Sequence, residues 1–307
     1  MIEILKSKDR ALIKLDKLTK GSWVNVISPS SNEIKTLKSK FNIPEEVFSS
    51  LKDVDEIPTI ERYKDLLFIL IKTPQKVEKV TQGKYITIPL GILLTPDYFI
   101  TICFQDNEII SKFKNSKIYS HKKIQNTLKL LLFSAKNYLK YLKEINKEIN
   151  NAQKDLEKSM KNKELFNLLD IEKGLIYFNT SLKANHSLIK KLTKRRIFTK
   201  YEQDKELLED VIEENEQAIE MTEIYSNILS GMMDAFASII SNNLNVVMKF
   251  LTSITIILMI PTLIASIYGM NISLPLQKSP HAFSLVMLLS LLLSMLGAII
   301  FWRKELF

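Results

Sequence analysis

The sequence predicts an α/β domain followed by long stalk helices and two C-terminal transmembrane helices. Three observations support this fold class. Strand-like segments are concentrated in the first 120 residues, and a helical period replaces them from about Ser120. Near the C terminus, Phe250–Gln277 and Ser279–Trp302 contain no Asp, Glu, Lys or Arg. Each of these runs exceeds the ~20 residues that an α-helix needs to cross a bilayer.

The first 120 residues are predicted to form a cytosolic α/β domain. Ser30–Asn42 begins with Ser and Asn and carries Glu33 near its first turn, which is typical of a capped helix. A short helix is expected from Pro44 to about Lys52, and the Pro-Asp turn at 95–98 is expected to join two antiparallel strands. The predicted strands are rich in β-branched and aromatic residues and cover 22–27, 66–73, 85–95 and 98–104.

The remaining residues divide into helices and one short loop. Apolar residues three and four apart predict antiparallel helices over 121–199, the second of them covering about 164–192. A third helical run extends from about Lys200 to Ile260 without a proline, which is too long for an ordinary globular helix and indicates a stalk that continues into the membrane. The predicted segments are a stalk and first transmembrane helix at 200–267 (membrane part about 246–267), an extracellular loop at 268–281, a second transmembrane helix at 282–302 and a cytosolic tail at 303–307.

The flanking charges predict the orientation in the membrane. Lys249 precedes the first membrane run, and Arg303 and Lys304 follow the second. The positive-inside rule therefore places both termini in the cytosol of a plasma-membrane protein, with the loop at 268–281 outside. The charged N terminus does not resemble a signal peptide.

Composition argues against several other classes of protein. The net charge of +9 lies in Lys-rich helices and loops without interleaved aromatic residues, so no nucleic-acid partner is expected. Cys103 is alone, which excludes a disulfide framework and indicates a small core residue. We expect no enzyme and no organic cofactor, because the chain has no Gly-rich phosphate loop and no HExxH motif, and His121, His186 and His281 are scattered.

One face of the third helix is polar through the whole membrane run. Alternating steps of four and three residues back from Ser266 mark a single helical face. In a membrane this face either packs on another helix or lines water. It continues into the charged stalk, where Asp234 and Asn245 would be costly in a dry core, which favours an axial pore shared by several copies. This polar stripe has ten polar or glycine positions of twelve: Asn227, Gly231, Asp234, Ser238, Ser241, Asn245, Met248, Thr252, Thr255, Met259, Thr262 and Ser266.

Long apolar side chains on or beside the polar stripe suggest a gate. Met248, Leu251 and Met259 lie in the half of the membrane run nearer the stalk and at its middle. Rings of such side chains can close a pore by dewetting. Ordinary helix packing, where Met commonly fills gaps, is the alternative.

The sequence YGMN at 268–271, between two terminal membrane runs, resembles the CorA family of magnesium transporters, and the similarity extends through 229–271. The resemblance implies a CorA-like funnel, a homopentamer with a pore lined by the first membrane helix. It also implies that Gly269, Met270 and Asn271 form an outer ring that meets the incoming ion. The pore-lining residues would be Asp234, Asn245, Thr252, Thr255, Thr262 and Ser266.

The chemistry of magnesium agrees with this motif. Mg²⁺ releases its water reluctantly, so a selective mouth can use neutral oxygens that hydrogen-bond the hydration shell. Asn271 would supply a side-chain carbonyl, and Gly269 would let the backbone turn. An ordinary helix C-cap followed by a turn is the alternative reading of these residues.

The sequence departs from the family pattern at two places. The outer loop after the motif has Lys278 and no acidic residue, so no strong concentration of cations is expected there. In the family an acidic stalk residue and one in a neighbouring α/β domain bind intracellular magnesium. Asp210 matches the stalk residue, but the opposite position is Ser50, and Asp53, Asp55 or Glu56 could substitute. A solvated acidic helix face is the alternative for Asp210.

The leading hypothesis is therefore Mg²⁺ uptake through a pentameric pore with a hydrophobic gate and feedback by intracellular Mg²⁺. The expected partners are other copies of the chain, the lipid bilayer and divalent cations. A related zinc transporter of the ZntB branch, carrying Zn²⁺, Co²⁺ or Ni²⁺, is the first alternative. A membrane-anchored oligomeric scaffold or signalling protein is the alternative from another class.

Overall fold

The computed structural model describes residues 1–8, 11–77, 83–159, 162–275 and 279–304, and this part of the chain forms seven strands and seven helices. It divides into two compact units, Met1–Ser230 and Gly231–Phe307. The strands are β1 (Ile2–Lys8), β2 (Ala11–Leu15), β3 (Trp23–Ile27), β4 (Thr59–Tyr63), β5 (Leu66–Lys76), β6 (Tyr85–Leu94) and β7 (Phe99–Cys103). The helices are α1 (Ser31–Phe41), α2 (Glu45–Lys52), α3 (Glu108–Lys114), α4 (Lys123–Ser159), α5 (Asn162–Thr193), α6 (Glu202–Tyr268) and α7 (Ala282–Arg303).

The seven strands form one sheet in the order β2-β1-β3-β7-β6-β5-β4. Strands β3 and β7 are parallel, and all other neighbours are antiparallel. The predicted turn at 95–98 is confirmed between antiparallel β6 and β7, where the Thr95 N–H donates to the Tyr98 carbonyl at 3.0 Å. All four predicted strands are present, whereas β1, β2 and β4 were not predicted.

Helices cover both faces of the sheet. Because successive strand residues point to opposite faces, β5 sends Leu67, Ile69 and Ile71 into one core cluster with residues of α3, α4, α5 and α6. Its alternate residues, Phe68 and Leu70, enter a second cluster with α1 and α2. The sheet is therefore the middle layer of an α/β unit with two hydrophobic cores.

Helix α1 begins with the predicted capping box. The Ser30 hydroxyl accepts from the Glu33 N–H at 3.3 Å, and the Glu33 carboxylate accepts from the Ser30 N–H at 2.8 Å. The predicted short helix after Pro44 is also confirmed as α2. It packs closely on β6 because Gly91 has no side chain: a Cβ there would lie 2.7 Å from Leu51 Cδ1.

The second unit contains α6 from Gly231 onwards and the whole of α7. Both helices are long and apolar enough to cross a membrane. The predicted long helix is present and continues through Pro261 to Tyr268. A proline has no N–H, so the Ile257 carbonyl lacks its usual donor four residues later. The Ser294 hydroxyl of α7 donates to that carbonyl at 3.5 Å. Lys278 and the end of the predicted tail, residues 305–307, lie outside the described residues.

Candidate functional site

The polar stripe is uncovered in the protomer. All twelve of its positions are exposed on α6. Helix α7 contacts a different face of α6, since the Ser294 hydroxyl reaches the Ile257 carbonyl and a Cβ at Gly297 would lie 3.4 Å from Ile260 Cδ1. Packing on the second membrane helix of the same chain therefore does not account for the stripe. This polar surface, within a helix apolar enough to span a bilayer, still needs water or another chain against it.

Three hydroxyls of the stripe are arranged as acceptors. Thr255 and Thr262 donate their protons to the carbonyls of Leu251 and Leu258 at 2.8 and 3.1 Å. Ser238 does the same to the Asp234 carbonyl at 3.0 Å. A hydroxyl has one proton and two lone pairs, so each of these oxygens keeps lone pairs for an outside donor. The water shell of a hydrated cation offers such donors.

The three predicted gate residues are also exposed on α6. Met248, Leu251 and Met259 each leave more than half of their surface uncovered in the protomer. Beside Met248 lies a groove of about 420 Å³ that is also lined by Asn245, Thr252 and Phe301. Thus the apolar gate candidates and the polar stripe lie on one exposed sector of α6, which Phe301 of α7 borders near Met248.

The GMN residues end α6 in an unexpected conformation. The Gly269 N–H donates to the Ala265 carbonyl at 2.9 Å and the Met270 N–H to the Ile267 carbonyl at 3.2 Å. Gly269 does not adopt the left-handed conformation that is common for glycine at a helix end. The glycine extends the helical hydrogen bonding, and the chain turns at Met270 and Asn271, which are both exposed.

The predicted regulatory residues do not form a metal-binding group within one protomer. Asp53, Asp55 and Asp210 are exposed, and no group of three or more His, Cys, Asp or Glu residues suited to a metal ion occurs in the described ranges. The Asp53 carboxylate accepts from the Asp55 N–H at 2.9 Å, which closes the turn after α2. The structure therefore brings Asp53 and Asp55 together, and Asp210 does not complete a group of three with them.

The sequence did not predict the burial of Lys72 or its contact with the Val54 carbonyl. Lys72 lies in β5 with 4% of its surface exposed, and its ammonium donates to the Val54 carbonyl. Burial lowers the pKa of Lys72, and Asp55, Asp53 and Glu56 act in the opposite direction. The available signal was a charged residue at the end of an otherwise apolar strand, LLFILIKT at 66–73.

Known proteins resemble this chain in both sequence and fold. A family model described as "CorA-like Mg2+ transporter protein" matches residues 19–304. The "Cobalt/magnesium transport protein CorA" of Methanocaldococcus jannaschii is 29% identical over 97% of each chain. A "Magnesium transport protein CorA" of Helicobacter pylori is 24% identical over 92% of this chain and 89% of its own.

Solved structures agree with this relationship. The complete CorA magnesium transporter of M. jannaschii superposes with a TM-score of 0.84, at 27% identity over 99% of this chain and 98% of its own. The ZntB cytoplasmic domain of Vibrio parahaemolyticus has a TM-score of 0.61 at 12% identity, over 78% of this chain and 98% of its own, and shares the fold alone. The model match covers most of the sequence, and the two C-terminal helices agree with a membrane protein of this type. The chain belongs to the CorA-like Mg²⁺ transporter family.

Proposed function

We propose that this protein is a channel or transporter that takes up Mg²⁺ through a pore formed by α6 of five copies. The observation that carries the proposal is the exposed polar stripe on α6, which runs through the membrane segment and is not covered by α7. A ring of copies would turn this surface towards a shared axis. Water in the axial channel would then solvate the side chains that lipid could not.

The ion would pass the stripe with much of its water in place. Stripping water from Mg²⁺ is costly, and the stripe offers neutral oxygens from Asn, Ser and Thr. Five copies of Asn271 would form the first such ring at the outer mouth. Both relatives are named as magnesium transport proteins, and the one from M. jannaschii also as a cobalt transport protein. Inward flux would be driven by the membrane potential, which contributes about 2.3 kcal/mol per charge at 100 mV.

The same arrangement separates this proposal from the alternatives. A membrane-anchored scaffold has no need of an uncovered polar stripe across the bilayer. The Zn²⁺ alternative has support from the shared fold of ZntB, but neutral oxygens suit the harder cation. We further propose that both termini are cytosolic, that the protein lies in the plasma membrane, and that it has no enzymatic activity.

Feedback by intracellular Mg²⁺ is the weaker part of the proposal. Exposed Asp210 on α6 would face the α/β domain of a neighbouring copy, and the ion would favour the closed state by its differential affinity for it. Because Ser50 stands where the family has an acid, with Asp53 or Asp55 as substitutes, we expect weak feedback. Protease protection titrated with Mg²⁺ should differ between the unaltered protein and Asp210→Lys. Identical titrations would remove Asp210 from regulation.

The experiment that tests the transport function is flux into liposomes that contain the purified protein. We expect Mg²⁺ and Co²⁺ influx that grows with an inside-negative potential. Zn²⁺ influx is measured in parallel, because it distinguishes this proposal from the ZntB-like alternative. Asn271→Ala should lower influx at least tenfold without changing the oligomer. Ser273→Ala, in the same exposed loop, is the matched control and should transport normally. Zn²⁺ influx without Mg²⁺ influx would favour the ZntB-like alternative, and no influx of any of the three ions would overturn the proposal.

A further inference from the structure

A groove of about 680 Å³ lies where two long helices begin. Residues 121–125, at the start of α4, and residues 201–204, at the start of α6, line it. Its volume is within the range of pockets that hold small organic ligands. We call it the α4–α6 groove. None of its residues belongs to the polar stripe or to the predicted regulatory site, so transport does not explain it.

The start of α4 offers free hydrogen-bond donors to this groove. The N–H groups of Lys122, Lys123 and Asn126 donate to nearby carbonyls. Those of Ile124 and Gln125, which line the groove, donate to no acceptor in the described part of the chain. The first turn of α4 also has no acidic residue. A helix start of this kind, with free N–H groups and the positive end of the helix dipole, favours an anion.

Lysine side chains add positive charge beside these donors. Lys122 is exposed and forms no ion pair among the described residues. The Lys123 ammonium donates to two backbone carbonyls, at 2.5 and 2.7 Å, and so is held at the groove. The Glu202 carboxylate is paired with Lys205 at 3.4 Å. Two ammonium groups and a helix start therefore face a single unpaired carboxylate, that of Asp204, which leaves the positive balance that a phosphate requires.

Asp204 is the second and independent sign of a ligand. It lines the groove with only 8% of its surface exposed. Within the described residues its carboxylate accepts no hydrogen bond and forms no ion pair. Burial raises the pKa of this carboxyl, and Lys122 acts in the opposite direction. Because a buried polar group without a partner is costly, Asp204 suits a ligand that donates a hydrogen bond, as a ribose hydroxyl does to a carboxylate.

Tyr201 adds an aromatic surface to the same groove. Its side chain is 61% exposed, and the Lys200 ammonium lies 5.3 Å from the centre of its ring. Nucleobases stack on exposed aromatic side chains, and the stacking tolerates any base. Tyr201 and Asp204 come from one turn of α6, opposite the donors of α4. The groove thus offers separate places for an anion, a hydroxyl and a flat ring.

We propose that the α4–α6 groove binds a nucleoside phosphate. The phosphate accepts from the free N–H groups of α4 and pairs with Lys122, a ribose hydroxyl donates to Asp204, and the base stacks on Tyr201. The proposal goes beyond transport and does not depend on the pore, since every residue in it belongs to Met1–Ser230.

The test is isothermal titration calorimetry of the full-length protein in nanodiscs with AMP, ribose 5-phosphate and inorganic phosphate. AMP should bind at least tenfold more tightly than phosphate. Lys122→Ala should weaken all three ligands at least fivefold. Asp204→Leu should lower the preference for ribose 5-phosphate over phosphate at least tenfold, and Tyr201→Ala should weaken AMP alone. Lys143→Ala, exposed on α4 outside the groove, is the matched control and should bind normally.

Three results would overturn the proposal: no binding of AMP, AMP binding no tighter than that of phosphate, or equal AMP affinities in Lys122→Ala and Lys143→Ala. If Asp204→Leu does not fold, Lys122→Ala and Tyr201→Ala decide the question, because both altered side chains are exposed. Mg²⁺ flux without nucleotide is measured on the same preparations. Absence of flux would overturn the proposed function and leave the binding result intact.

Discussion

At the scale of single residues, Glu108 shows how local contacts determine the pKa of a carboxyl group. Burial alone would raise its pKa, but hydrogen bonds from Tyr141, Lys112 and Lys140 lower it to about 2. The contacts with α4 attach α3 to it, at distances of 2.6 Å to the Tyr141 hydroxyl and 3.1 Å to the Lys140 ammonium. Because its pKa is lower in the folded state than in the unfolded state, ionised Glu108 increases the free energy of unfolding.

The sign of the pH dependence follows from that shift. The pKa is lower in the folded than in the unfolded state, so the stabilisation is complete above about pH 4.5 and is lost as the pH falls towards 2. We expect Glu108→Gln to flatten the stability curve in this range. Thermal unfolding followed by circular dichroism between pH 2 and 6 measures the difference. Glu46→Gln is the control, and equal curves for Glu108→Gln and the unaltered protein would contradict the prediction.

At the scale of elements, the contact between α6 and α7 depends on small residues. Ser294 supplies the donor that Pro261 removes from the Ile257 carbonyl, and Gly297 leaves room for Ile260. We expect Ser294→Ala to destabilise the helix pair by about 0.6 kcal/mol, the usual value of an interhelical hydrogen bond in membranes. Gly297→Leu should be more harmful, because its side chain meets Ile260. Unfolding in mixed detergent micelles gives both values, with Ser284→Ala as the control; an effect of Ser294→Ala no larger than the control would disprove the bond.

The gate is also a property of one element. Met248, Leu251 and Met259 would form narrow apolar rings, and polar side chains there should keep the pore wet and conducting. We expect Met248→Ser and Met259→Ser to leak at high internal Mg²⁺. Met295→Ser on α7 is a matched control, since Met295 and Met259 are 64% and 62% exposed. Leak equal to that of the unaltered protein in both α6 variants would place the gate elsewhere.

The elements also show what the sequence could predict. Central strands such as β5 and β6 are buried on both faces and were recognised as apolar runs. The unpredicted strands β1, β2 and β4 lie at or beside the sheet edges, and charged residues on their exposed positions hide the strand pattern. The stripe followed from periodicity within one helix. The contact of the Lys72 ammonium with the Val54 carbonyl did not, because it joins a strand to a distant turn.

At the scale of the whole molecule, the proposed pore predicts which side chains meet between copies. Cys103 is the single cysteine and is buried. Cross-links of an introduced cysteine can therefore be detected without first removing other reactive thiols. Thr255→Cys would place thiols on the shared axis, and a short bifunctional thiol reagent should join copies in pairs. Leu292→Cys, exposed on α7, should stay uncoupled because it would face lipid. Pairing at Thr255 alone would support the assignment of the stripe, whereas pairing at Leu292 alone would place α7 at the centre.

The number of copies needs a separate measurement, because one thiol per chain can link only two of them. Native mass spectrometry of the unaltered protein in lipid should give five times the chain mass of 35.5 kDa. The number five is what the family resemblance implies, whereas the need for several copies rests on the pore, since a single exposed stripe cannot enclose water without neighbours on both sides. A ring requires two contact surfaces on each copy, and such a head-to-tail arrangement closes at a fixed number. A monomer or dimer that still conducts Mg²⁺ would contradict the shared axial pore and would require water to cross along one or two helices.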